Sequence, residues 1–179
     1  MRDTHLTQES YQLRCGVAVH TEQHTAFEQL LTEALNQIPA NFVFLADVAG
    51  QIVMAKGDHE QVNLVMLGSL VAGDLAASQE IARLTGQFQD YQIVLREGAN
   101  VNTFIIEAGQ YLVLLVQVDH DVPLGWARMV VKRIGQSLGK VMEGAETAVT
   151  EQPAFTFDDS DSELSDLFGE ALDDLWGEL

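Results

Sequence analysis

The stretch Tyr111 to Val118 (YLVLLVQV) constrains this chain more than any other. Only Gln117 interrupts it. A strand with one wet face alternates apolar and polar residues, whereas a nearly continuous apolar run reads as a strand buried on both faces. Such a strand sits in the middle of a sheet, with covering layers on either side. Its wholly apolar part, Tyr111 to Val116, is far too short to cross a bilayer.

The rest of the chain supplies the partners that this strand needs. Upstream, Val101 to Glu107 and Phe88 to Glu97 read as strands, separated by Gly98-Ala99-Asn100 and Ala108-Gly109-Gln110 as hairpin loops. Asn41 to Asp47 and Gln51 to Ala55 form another strand pair, with Gly50 able to supply the positive φ of a tight turn. Three helices separate or flank these strands. The first is predicted from Glu22 to Gln37, with Phe27, Leu30, Leu31, Ala34, Leu35 and Ile38 on one face and Pro39 at its end. A long second helix spans Glu60 to Leu84 and stops at Gly86. The third opens at Pro123, with Asp121 as its predicted cap, and runs to about Glu143, carrying Leu124, Ala127, Val131, Ile134, Leu138 and Val141 on one stripe. Weak alternation in Tyr11 to Val19 predicts a short N-terminal strand. The expected fold is α/β in the α+β sense: a five-stranded antiparallel sheet with helices on both faces, in the order α-β-β-α-β-β-β-α.

Charge divides the chain. The net charge is −18, and residues 144–179 hold eleven Asp and Glu with no Lys or Arg. Nine bases scattered through 179 residues do not make a phosphate-binding surface, so nucleic acid is not an expected partner. The boundaries that follow are an N-terminal segment 1–20, a domain over 21–143, a flexible acidic linker over 144–161 and an amphipathic helix over 162–179. In that last segment Ser160 and Glu163 are spaced as a capping box. Leu164, Leu167, Phe168, Leu172, Leu175 and Trp176 then recur at helical spacing, with acids on the opposite side. Asp166-Leu167-Phe168-Gly169-Glu170 is echoed by Asp174-Leu175-Trp176-Gly177-Glu178. An acidic helix of this kind is expected to fold in an apolar, basic-rimmed groove of a partner, and not to insert into anionic membranes. Arg128, Lys132, Arg133 and Lys140 all fall on the third helix, either as a solvated basic face or as a dock for the acidic tail.

Catalytic constellations are not expected. The sequence has no phosphate loop of either common type and no nucleophile–base–orienter set, so no catalytic residue and no cofactor are predicted. His20 and His24 are four apart but lack companions with metal-ligand spacing, so no metal is predicted. Asp58-His59-Glu60 and Asp119-His120-Asp121 stand at strand-to-helix junctions, where acids cap helices. Cys15 is a lone cysteine, read as a small half-buried apolar residue. Met1 to Ser10 are polar, without the apolar core of a secretory signal, and a cytoplasmic location is expected.

The first hairpin (NFVFLADVAGQIVMAK, from Asn41), the long helix (LGSLVAGDLAASQEIARL, from Leu67) and the run from Tyr111 to Arg133 (YLVLLVQVDHDVPLGWARMVVKR) resemble the Roadblock, or dynein light chain, family, and within it the bacterial MglB-like members. Glu170 to Trp176 (EALDDLW) is similar to the acidic-aliphatic end of those members. The resemblance covers residues 22–143 and the tip of the tail. It implies a homodimer in which the long helices pair and the sheets join edge to edge. It also implies a partner, a Ras-like small GTPase of the MglA type, docked on the same helices and regulated without an inserted arginine finger. Leu67, Gly68, Ser69, Val71, Ala72, Gly73, Ala76 and Ala77 are then the dimer or docking residues, and the six small ones, Gly68, Ser69, Ala72, Gly73, Ala76 and Ala77, let two backbones approach. Those small residues would equally let the helix lie close on its own sheet. Pro123 to Arg128 (PLGWAR) resembles the family's turn into its last helix, where Gly125 would allow close helix–sheet contact. A role in cell polarity or motility, at a cell pole, is what the family implies. A dimeric adaptor without effect on GTP hydrolysis, docked through its tail, is the competing expectation.

Overall fold

The computed structural model describes residues 10–86 and 93–143. The linker, the predicted helix over 162–179 and its residues Leu164, Leu167, Phe168, Leu172, Leu175 and Trp176 lie outside the described residues, as do positions 87–92 at the start of the strand predicted to end at Glu97.

The chain begins with β1 (Ser10–Gln12) and β2 (Ala18–His20), followed by α1 (Thr21–Gln37), β3 (Ala40–Asp47) and β4 (Ile52–Gly57). Then come α2 (Leu64–Leu84), β5 (Ile93–Glu97), β6 (Val101–Ala108), β7 (Leu112–Asp119) and α3 (Leu124–Met142). The sheet has the order β4-β3-β7-β6-β5 and is antiparallel throughout. The apolar run is thus the central strand β7, paired on one side with β3 (Leu45 opposite Leu114) and on the other with β6 (Ile105 opposite Leu115).

The period of two along these strands sorts their side chains into two cores. Val43, Leu45, Phe104, Ile106, Leu112, Leu114 and Val116 face α1 and α3, where Phe27, Leu31, Ile134 and Leu138 meet them. Phe42, Phe44, Ala46, Ile105, Val113 and Leu115 face the other way, against Val71 and Leu75 of α2. The layers are unequal. Five strands at about 4.8 Å spacing make a face roughly 19 Å wide, while a helix with its side chains is about 10–12 Å across. Two helices cover that width; α2 alone does not.

Both helical layers touch the sheet through glycine. Gly50 turns the β3–β4 hairpin with φ +82°, and a Cβ there would come within 2.9 Å of Ser69 Cα. Gly68, on α2, lies directly against the Gly50 carbonyl. On the opposite layer, a Cβ on Gly139 of α3 would lie 2.9 Å from the backbone nitrogen of Gly109, in the β6–β7 turn. Gly125, expected from the resemblance to be the point of close approach, is exposed, and a Cβ added to it would meet nothing within 4 Å. The contact sits about four turns further along the helix, where α3 crosses the turn of its own sheet.

Three boundaries differ from the sequence expectation. The N-terminal alternation belongs to a two-stranded hairpin, with Tyr11 opposite Val19 and Gly16 in its turn at φ +90°. Leu13, Val17 and Val19 still point into the α1/α3 core, which is why alternation persists across the turn. The long helix starts at Leu64, because the Asn63 side chain accepts the Met66 N–H (3.1 Å) and ends any earlier helical path. The third helix has Pro123 as its cap, its carbonyl accepting the Ala127 N–H (3.0 Å), one residue later than predicted and without Asp121. Asp119 instead accepts a hydrogen bond from Asn41 Nδ2 (2.8 Å); with Asn63 capping α2 and Pro123 at the start of α3, neither acidic triplet supplies the cap.

One buried carboxylate ties the N-terminal hairpin to the sheet. Asp47 is fully buried and accepts from the backbone N–H groups of Cys15 (3.0 Å), Ala49 (3.0 Å) and Gln51 (2.7 Å). Beside it, burial pushes the Cys15 thiol above its ordinary pKa, which suits a protonated packing residue. Replacing Asp47 by Ala leaves three N–H groups without their acceptor, and is expected to lower stability by about 3 kcal/mol in urea unfolding, with Asp47→Asn losing less. Gly139→Ala, which drives a methyl into backbone, is expected to cost about 1–3 kcal/mol. Gly125→Ala, which meets open space, is expected to raise the unfolding midpoint instead, by about 0.5 kcal/mol of stability.

Candidate functional site

Helix α2 is the most unusual surface of the protein. By length and apolar composition alone it could cross a bilayer. Here it lies on the sheet as an apolar helix whose outward side is also apolar. Gly68, Val71 and Leu75 are buried beneath it, held down by the glycine contact and the Phe42–Phe44 side of the sheet. Val65, Met66, Leu70, Ile81 and Leu84 point away, each between 61% and 72% exposed. Five large aliphatics left in water on one helix correspond to an area that soluble proteins ordinarily cover with a partner.

At about 100° per residue these side chains form distinct rows. Met66, Gly73, Ala77 and Leu84 run along the crest, with Leu70 and Ile81 on one shoulder. Val65, Ala72 and Ala76 form the other shoulder. The centre of the crest is low, because Gly73 and Ala77 carry little or no side chain and both are exposed. A neighbouring helix could therefore approach close to this backbone.

Between α2 and the β5–β6 side of the sheet runs an open groove of about 650 Å³, the part of the face that one helix cannot cover. Phe42, Leu70, Ile105 and Leu115 give it an apolar floor and wall, and Thr103, Gln117 and Arg96 stand on its sheet side. Arg96 Nη2 donates to Asp74 Oδ1 (2.6 Å), bridging the groove from β5 to α2. The second carboxylate oxygen of Asp74 is buried without a hydrogen-bond partner among the described residues. A pair this exposed on its arginine side adds less than about 1 kcal/mol, so it orients the two elements more than it holds them. Strand β5 is the edge of the sheet on this side.

The predicted site residues separate accordingly. Gly68 and Val71 serve the packing of α2 on its own sheet, the alternative role open to the small residues. Leu67 and Ala72 are half-buried, while Ser69, Gly73, Ala76 and Ala77 are on the surface. The sequence reading names Leu67 and Val71 together with the small residues of α2, and does not name the exposed aliphatics Val65, Met66, Leu70, Ile81 and Leu84. Their signal is a helix with aliphatics around most of its circumference, more than one buried face can use. The other constellations are dispersed. His24 packs edge-on against Tyr11, with ring centroids 6.0 Å apart, and the His59 ring lies 2.7 Å from the Gly57 carbonyl. Of the α3 bases, Arg133 pairs with Glu33 on α1 (3.4 Å), while Lys56 of β4 pairs with Glu28 (3.0 Å) and holds that carboxyl below its ordinary pKa.

No family model matches the sequence, and no curated protein matches it significantly. Solved structures do. MglB of Myxococcus xanthus is 28% identical, with 70% of this chain and 93% of that chain covered and a TM-score of 0.64. The gliding protein MglB of Thermus thermophilus is 25% identical, with 74% and 98% covered and a TM-score of 0.65. A Roadblock/LC7 domain of Streptomyces avermitilis shares the fold alone, at 15% identity, with 64% and 96% covered and a TM-score of 0.58. The sheet order, the split of helices between its faces and these likenesses together identify a Roadblock-family fold, similar to that of MglB.

Proposed function

We propose that this protein is a homodimeric, non-catalytic regulator of a Ras-like small GTPase of the MglA type, acting in the cytoplasm in cell polarity or motility. The observation that carries this reading is the uncovered apolar surface of α2, on a fold similar to MglB structures, one of them described as a gliding protein.

The two shoulders of α2 suit two different tasks. The shoulder with Leu70 and Ile81 borders the open groove and lies toward the edge strand β5. A second copy meeting the first along β5 would continue the sheet and lay its own α2 beside this one. The low centre at Gly73 and Ala77 would let the helix axes come within the closer end of the usual range of about 8–10 Å. Pairing β5 edges also removes an exposed row of backbone donors and acceptors that a lone chain would leave open. The opposite shoulder, Val65, Ala72 and Ala76, with Ser69 between it and the crest, remains outward in such a dimer and supplies a shallow apolar platform for the GTPase. Val65, Ser69, Ala72 and Ala76 carry no acid–base or phosphate-binding chemistry, and Arg83, further along the same row, is paired with Glu80, so the platform would act by holding a partner's own catalytic loops in one arrangement.

The two tasks are separable by mutation. Leu70→Asp together with Ile81→Asp changes exposed residues only, and is expected to leave the fold intact while converting a dimer to a monomer in analytical ultracentrifugation. A wild-type chain that sediments as a monomer at micromolar concentration would remove the dimer from the proposal. Ala72→Arg with Ala76→Arg is expected to keep the dimer and reduce stimulation of GTP hydrolysis, or of nucleotide exchange, by at least tenfold in an assay with the cognate GTPase. If the wild-type protein binds that GTPase yet alters neither rate, the adaptor reading replaces the regulatory one.

A further inference from the structure

The opposite side of the molecule carries a second unpartnered surface, on the outward face of α3. Trp126 and Met129 are 43% and 62% exposed there, one turn apart. Trp126 also closes one wall of a notch of about 440 Å³, whose other apolar walls are Pro39, Ala99, Val122 and Pro123, with Asp119 and Asp121 on the side away from the basic residues of α3. Below them, toward the end of the helix, stand Arg128, Lys132, Arg133 and Lys140. The chain has 27 acids for nine bases, yet four of those bases are gathered on this one helix. Lys56, Arg83 and Arg96 each have a carboxylate partner. On α3 only Arg133 has one, at 3.4 Å, and Arg128, Lys132 and Lys140 have no acid partner among the described residues. In so acidic a protein, cations left unpaired beside an exposed tryptophan are complementary to something both acidic and apolar.

The spacing states the shape of that partner. Trp126, Met129, Arg133, Gln136 and Lys140 follow one another at intervals of three, four, three and four residues. This is the seam that packs against another helix at a shallow crossing angle. It runs about 21 Å, or four turns. Arg128 and Lys132 flank the seam where a neighbouring helix would carry its own flanking charges. Two other occupants fit less well. An anionic membrane or a nucleic acid would be repelled by the −18 of the whole chain, whereas one short acidic helix brings few charges to a local cationic patch.

We propose that the outward face of α3 is a docking site for an acidic amphipathic helix of a partner protein, with a large apolar side chain seated beside Trp126 and Met129 and carboxylates along Arg128, Lys132 and Lys140. This site is separate from the α2 surface and does not depend on the GTPase reading.

A synthetic peptide with the sequence of residues 162–179 has the required chemistry and serves as the probe, labelled with fluorescein and titrated with the full-length protein. Saturable binding in fluorescence anisotropy is expected. Binding should weaken at least tenfold in Arg128→Glu/Lys132→Glu and in Met129→Asp, and also when salt is raised from about 0.05 to 0.5 M. It should be unchanged in Leu70→Asp/Ile81→Asp. Every position substituted in these α3 and α2 variants is exposed, and an unchanged circular dichroism melt verifies each fold. Absence of saturable binding, both to the wild-type chain and to a full-length Leu167→Asp/Trp176→Asp variant whose own copy of the segment no longer competes, overturns the proposal. So does binding that ignores the α3 variants, or equal binding of a scrambled peptide of the same composition. Recruitment of the protein to phosphatidylglycerol vesicles through Arg128 and Lys132 would overturn it in favour of a lipid surface.

Discussion

The width of the sheet sets the terms for everything else in this molecule. Five strands packed between helical layers need roughly two helices on each face. Among the described residues, α1 and α3 lie on one face and α2 alone on the other. The first face is closed: its core holds most of the large buried side chains, and Gln23 stitches the start of α1 to the end of α3 through the Val141 carbonyl (2.9 Å). Among the described residues the second face is partly open, with a groove beside α2 and β5 as the edge of the sheet. Its core is smaller, and the helix above it has apolar residues on both its inner and outer sides. An excess of apolar surface on the face that lacks a helix is what association with another chain would resolve. The proposed dimer and the proposed platform for a GTPase are two uses of that one deficit.

The position of α2 is fixed by very little side-chain matter. Gly68 rests on the carbonyl of Gly50, and Val71 and Leu75 fill the space above Phe42 and Phe44. The turn carrying Gly50 is in turn braced by Asp47, whose carboxylate also holds the N-terminal hairpin through Cys15. A short chain of contacts therefore links the first strands, the first turn of the sheet and the helix that presents the candidate site. Each link is a backbone group or a buried carboxylate, and such contacts have little freedom to shift.

Much of this fold is legible in the amino acids, because the signals are patterns of many residues. The apolar runs of β7 and β3 and the stripes of α1 and α3 each rest on repeated burial, and each lies where the sequence pattern puts it. Features set by single contacts are harder to read. Asn63 moves the start of α2, Gly16 folds an apparent strand into a hairpin, and Gly125 looks like a contact that Gly139 and Gly68 actually make. Which glycine meets backbone depends on where a helix crosses a turn, and that crossing is a three-dimensional fact. The candidate site is legible as a helix but not as a surface. Small residues draw attention to α2, and Gly68 among them proves to face inward, while aliphatics around most of the circumference signal an excess without saying which of them stay exposed.

The contact between Gly50 and Gly68 has a consequence for how such a surface can diverge. The height of α2 above the sheet is set there by main chain against main chain, so changes in side-chain volume elsewhere in the layer have little leverage on it. The crest can then exchange one aliphatic for another, or a small residue for a charged one, while its frame stays in place. Over evolutionary time the identity of what is gripped can drift, and the coordinates at which it is gripped stay nearly constant.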